Sequence, residues 1–138
     1  MGRRLRTGAG RVRGGRPPGA QRLGRSLARL LWEMRDRTVV GIHGSCLGAG
    51  IELPAFAGRV VAAEDARIGL PELDLGLIPG AGGTVSIAGR SGSRVLLDLL
   101  LSGGTVDAGT ARSRGLVDEV VPGERLRARL LELAGGST

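Results

Sequence analysis

The sequence contains no lysine: all 20 of its cationic side chains are arginine. That one absence excludes Schiff-base chemistry and a phosphate-loop lysine. The single cysteine, Cys46, excludes an internal disulfide framework and any multi-cysteine zinc site. One histidine, His43, leaves no His-rich metal cluster. Aromatic side chains are limited to Trp32 and Phe56, too few for platforms that stack unpaired bases. No apolar run approaches the roughly 18–20 residues of a membrane span. What is present is a chain of 138 residues, 41% of them hydrophobic, enough for one domain with a buried core and short for two. A soluble, cytoplasmic protein is expected.

The net charge of +7 is unevenly spread. Residues 1–37 hold 11 arginines against Glu33 and Asp36, giving +9, whereas residues 38–138 hold 9 arginines against 11 acids, giving −2. Basicity therefore belongs to one end of the chain and not to its globular part. Residues 1–21 combine arginine, glycine and the Pro17-Pro18 pair with almost no apolar content, too little to offset the entropy of ordering. This predicts a disordered leader over 1–21 and one domain over 22–138. The same composition also suits a nucleic-acid-binding arm or an acid-poor transit peptide, but not a signal peptide, which needs an apolar centre.

From Arg22 onward, Leu23, Leu27, Leu30, Leu31 and Met34 recur at helical spacing, predicting an amphipathic helix that ends near Arg37. Thr38–Ile42 reads as a buried strand, followed by a glycine turn through Gly44, Gly48 and Gly50 and an apolar helix over Ile51–Ala57. Further strands are predicted at Arg59–Ala63, Ile68–Leu70 and Val117–Val121, and further helices at Gly82–Ile87, Ser93–Ser102, Ala108–Arg114 and Glu124–Leu133. Asp107 is placed to cap one helix and Gly115 to stop it. Short strands alternating with helices indicate an α/β chain.

Three constellations could carry chemistry. At Gly48-Ala49-Gly50 a strand turns into a helix whose first N–H groups lack internal partners, so the Ala49 N–H could hold a developing oxyanion. The same glycines equally serve close strand–helix packing. Glu52 lies one helical turn after Ala49 and interrupts an apolar stretch, which is costly unless it faces a partner or a site. Glu72 follows Pro71, which fixes the local backbone. Two carboxylates facing one cavity can divide acid and base roles, although two unrelated glutamates fit the spacing as well. The loop Pro79-Gly80-Ala81-Gly82-Gly83-Thr84 lacks the lysine of a phosphate loop and reads as a tight turn whose N–H groups line a pocket. His43 and Cys46 flank the first turn, where a structural histidine and an inert thiol are the simpler readings.

The ordered segments TVVGIHGSCLGAGIEL, RVVAAEDARIGLPELDLGLIPGAGGT and LLLSGGTVDAGTARSRGLVDEVVP resemble the crotonase family, the enoyl-CoA hydratase/isomerase superfamily. With the preceding helix they cover residues 22–122. The resemblance implies a partial crotonase-like (ClpP/crotonase) ββα spiral fold and an acyl-CoA thioester substrate, with no metal or redox cofactor. It implies that Ala49, within the Gly48-containing turn, supplies one oxyanion N–H, where glycine is commoner. It further implies that Glu52 activates a water for attack on the β-carbon, that Glu72 protonates the α-carbon, and that Gly80 shapes the water-binding pocket. A trimer-type homo-oligomer is implied for a complete member, and neither nucleic acid nor a membrane is expected as a partner.

The chain departs from the family pattern at both ends. The A-G-x-D-like segment that supplies the second oxyanion N–H has no counterpart, and the C-terminal helices are shortened to Glu124–Thr138. Losing one oxyanion donor costs about 2.7–4 kcal/mol of transition-state stabilisation. The chain thus reads as a truncated member, and its being an enzyme is left open. The rival readings are a non-catalytic protein that binds acyl-CoA or a full-length paralogue, and a basic-arm module that contacts nucleic acid or a membrane surface through residues 1–37.

Overall fold

A computed structural model describes residues 18–71 and 83–135. The first helix, α1 (Pro18–Glu33), begins four residues before the boundary drawn at Arg22, so residues 18–21 of the predicted leader belong to it. A 3₁₀ turn at Arg35–Arg37 follows, rather than a helix running on to Arg37. The chain then forms β1 (Val39–Ile42), β2 (Ser45–Leu47), α2 (Ala49–Glu52), β3 (Arg59–Ala63) and β4 (Arg67–Gly69). Beyond the undescribed segment come α3 (Gly83–Ser91), α4 (Ser93–Ser102), β5 (Thr105–Asp107), α5 (Ala108–Ser113), β6 (Glu119–Val121) and α6 (Leu126–Gly135).

The strands build two three-stranded sheets. In the first, β3 lies between β1 and β6, with both pairings parallel. In the second, β4 pairs in parallel with β2 and antiparallel with β5. The chain passes from β1 to β2 across residues 43–44 and from β3 to β4 across residues 64–66, so the parallel pair β1–β3 leads directly into the parallel pair β2–β4. Two hydrogen bonds fasten the bends together: Arg67 N–H donates to Gly44 O (2.8 Å), and Gly44 N–H donates to Asp65 Oδ1 (3.3 Å).

Side-chain alternation explains why β3 is apolar throughout. Val60 and Ala62 enter the main core with Ile42, Ile51, Ile68, Ile87 and Leu99, whereas Val61 and Ala63 meet Leu126 and Leu130 of α6 on the opposite face. A parallel sheet covered on both faces requires such a continuous run. Two elements escaped the periodicity: β2 and β5, each three residues long, carry exposed, buried or half-buried positions without a β-branched run. The helix expected over Ile51–Ala57 is instead broken at Pro54, whose missing N–H turns the chain into a 3₁₀ segment, Pro54–Phe56. Gly58 follows because a Cβ there would lie 1.9 Å from the Arg35 carbonyl oxygen, where the 3₁₀ turn after α1 crosses the entry to β3.

Arg90, on α3, joins these layers. Its Nε donates to Ala55 O (3.1 Å), a second guanidinium nitrogen donates to Ala57 O, and Nη1 donates to Asp118 Oδ2 (3.0 Å). The same carboxylate oxygen accepts from Val60 N–H (2.8 Å), while Asp118 N–H donates to Val60 O (2.8 Å). The Asp118 side chain therefore extends the β3–β6 ladder by one rung and carries the charge that holds Arg90. Replacing Asp118 with Ala leaves a buried strand N–H without its acceptor and the nearly buried Arg90 guanidinium without its counter-charge, held only by the Ala55 and Ala57 carbonyls, and we expect it to cost about 2–3 kcal/mol in urea denaturation. Asp118→Asn keeps an acceptor for Val60 and should cost about half as much. Unchanged stability of Asp118→Ala would remove this role.

At Asp107, Oδ1 accepts from Thr110 N–H (2.8 Å), the cap expected at the start of α5. That bond holds the Asp107 carboxyl below its ordinary pKa. The Arg129 guanidinium, donating to both oxygens of Glu119 (2.7 and 3.1 Å), does the same for Glu119. A depressed folded-state pKa contributes stability that is complete above the ordinary carboxylate range and is lost as pH falls through the folded value. The urea midpoint should accordingly drop on acidification below about pH 4. Asp107→Asn, which still caps, should make that drop shallower; a curve with unchanged slope would contradict the assignment.

Candidate active site

Gly48 stands between β2 and α2 with φ +56° and ψ −120°, a left-handed conformation that favours glycine. Its N–H donates to Gly69 O (3.1 Å), prolonging the parallel β2–β4 pairing by one rung beyond Leu47↔Gly69. Its carbonyl accepts from Ile51 N–H (3.0 Å) and Glu52 N–H (2.9 Å), which starts α2. The N–H groups of Ala49 and Gly50 donate to no described residue. Gly50 is exposed and Ala49 half-buried. Two amide donors at a helix tip can thus receive an anionic oxygen. With only four residues, α2 contributes little macrodipole, so the donors themselves provide the electrostatics.

Glu52 closes this short helix one turn below Ala49 and is completely buried, one of two buried polar side chains among the described residues. The other is Ser86 of α3, whose Oγ donates to Glu52 O (2.8 Å). Ser86 belongs to no motif; its one signal in the sequence is a lone hydroxyl between Val85 and Ile87, because a polar group on a buried helix face needs an acceptor.

The structure brings Gly48, Ala49 and Glu52 together within one turn. Glu72 and Gly80 lie outside the described residues. The two flanks of the segment that carries them are both fastened beside α2: β4 enters it through the Gly48–Gly69 bond and buried Leu70, and α3 leaves it through the Ser86–Glu52 bond. A cleft of about 680 Å³ opens between α1, the Pro54–Phe56 turn and α3. It shares Ser86 with the surroundings of Glu52 but includes neither Glu52 nor Gly48–Gly50.

Cys46 belongs to the core. It is buried, and its Sγ donates to His43 O (3.4 Å) and makes a longer contact with Gly44 O (3.6 Å). Burial pushes the thiol above its ordinary pKa, the opposite of what a nucleophile needs. The His43 side chain is exposed. Among the described residues no three His, Cys, Asp or Glu side chains are grouped to hold a metal. A thiol reagent at neutral pH should leave Cys46 unmodified in the native chain and label it fully in urea; rapid native labelling would refute this placement.

Residues 20–135 match the family model described as Enoyl-CoA hydratase/isomerase. Solved structures agree. An enoyl-CoA hydratase from Thermoplasma volcanium superposes with a TM-score of 0.75 and 30% identity over 86% of this chain and 49% of that one. DspI from Pseudomonas aeruginosa gives 0.73 and 32% identity over 88% and 51%. A subunit I enoyl-CoA hydratase from Geobacillus kaustophilus gives 0.73 and 31% identity over 88% and 48%. The chain spans about half the length of these relatives.

Proposed function

Because this chain belongs to the enoyl-CoA hydratase/isomerase family, with the α/β fold of its crotonase-type relatives, we propose that it hydrates α,β-unsaturated acyl-CoA thioesters. The observation that carries the proposal is a fully buried carboxylate, Glu52, one turn below two open amide donors. A carboxyl group buried beside open backbone donors is suited to proton transfer with reacting atoms bound there.

In this reading the thioester carbonyl oxygen sits at the Ala49 N–H as negative charge develops on it. Glu52 removes a proton from water as the water oxygen bonds to the β-carbon. Glu72 delivers a proton to the α-carbon, and the double-bond electrons form that new C–H bond. The atoms of one water are thereby added, with no redox change and no metal or redox cofactor required. Gly80 offers backbone rather than side chain to the pocket. The Cβ of Ala49 narrows the approach but leaves the N–H available. The reaction takes place in the cytoplasm, and a complete member would act as a trimer-type homo-oligomer.

The alternative reading is binding of acyl-CoA or of a full-length paralogue without turnover. Loss of the conjugated thioester absorbance of crotonyl-CoA separates the two. Turnover by the purified chain, reduced about 10²–10⁴-fold by Glu52→Gln and by Glu72→Gln, is the expected result. Activity indifferent to both substitutions would overturn the assigned roles. Crotonyl-CoA binding without turnover would select the second reading.

A further inference from the structure

Of the apolar stripe of α1 only Leu31 is half-buried; the remainder does not face the domain. Ala28 is buried, and Ala28, Arg29 and Trp32 line the cleft against the Pro54–Phe56 turn and α3, so this side of the helix is the one that docks. Leu23, Leu27, Leu30 and Met34 lie about a third of a turn away, within an arc of about 60°, and are 69%, 42%, 50% and 39% exposed. Their spacing of four, three and four residues makes one continuous ridge about 16 Å long. The basic side chains Arg22, Arg25 and Arg29 border the cleft side of the helix, away from the ridge, and of these only Arg29 forms an ion pair among the described residues, with Glu33 (3.2 Å).

We propose that α1 lies in the surface of a lipid bilayer rich in anionic headgroups, with its leucine ridge in the acyl boundary and its arginines at the phosphates. An amphipathic helix with an arginine-filled polar face has the composition of an interfacial helix. No helix among the described residues is long and apolar enough to cross a membrane, so α1 rests in the plane. Charge selects the lipid surface over the other occupants. A second copy laid along the same ridge would bring another five arginines (Arg22, Arg25, Arg29, Arg35 and Arg37) against Glu33 and Asp36, a further +3, to the seam. A nucleic acid would take the arginines but leave the leucines in water. Only an anionic bilayer uses both, and guanidinium stems reach its headgroups by snorkelling.

The test is flotation of the full chain with vesicles of phosphatidylcholine alone, or with about one phosphatidylserine in three. The chain should float with the anionic vesicles and not with the neutral ones. Leu27→Glu with Leu30→Glu should reduce flotation at least about tenfold at unchanged circular dichroism. Arg22→Gln with Arg25→Gln should reduce it about tenfold at low salt and less at high salt. If the double leucine variant unfolds, Leu23→Gln, at the most exposed of the four positions, carries the same comparison. Equal flotation with both vesicles, or flotation insensitive to the leucines, overturns the proposal. So does leucine-independent binding to a polynucleotide that displaces the vesicles. A dimer in light scattering that the leucine variant converts to monomer would assign the ridge to a second copy instead.

Discussion

The bond from Gly48 N–H to Gly69 O is the constraint on which the proposed chemistry depends. It joins two positions 21 residues apart and sets the end of β4 beside the tip of α2. Because β2 and β4 are parallel, their C-terminal ends coincide at one edge. One strand feeds the open amides of Ala49 and Gly50, and the other leads through Leu70 and Pro71 toward Glu72. A slip of one residue would exchange the faces of β4, sending Ile68 out of the core. Burial of Ile68 and Leu70 therefore protects the register that the site requires.

Around that edge the polar bonds are few and each is committed. Ser86 fastens α3 to α2, and Arg90 fastens α3 to the Pro54–Phe56 turn and to Asp118. Asp118 in turn completes the ladder of β3 and β6. The helix that leaves the glycine-rich loop is thus tied at two points to the layers beneath it, both through groups on one of its faces. Positioning on rigid elements of this kind is what a site needs if its donors are to stay within a fraction of an ångström of a productive geometry.

Much of the scaffold was legible. Valine-rich runs marked β1, β3 and β6 because a parallel sheet covered on both faces needs apolar side chains at consecutive positions. Ser93–Ser102 was readable to the residue from its leucine spacing, and Asp107 from its capping chemistry. Glu52 was legible as an anomaly, a carboxylate inside an apolar stretch. Ser86, Arg90 and Asp118 were not, because their bonds run to backbone and side-chain atoms 28 to 58 residues away. The strands β2 and β5 were not either: three residues give too short a window for any period to emerge.

The sequence by itself determined which side chains are apolar and at what period, where charge concentrates, and the ordered motifs that place the chain in its family. These are properties of neighbours along the chain, and local sterics and solvation decide them. Only the tertiary structure decided that Gly48 meets Gly69, that Glu52 is wholly buried, and that Leu23, Leu27 and Leu30 of α1 face outward while Ala28 faces in. Helical periodicity defines an apolar side without saying what lies against it. Docking is settled by the shape of the surfaces that meet, and here the small side chain of Ala28 allows the close approach to the domain.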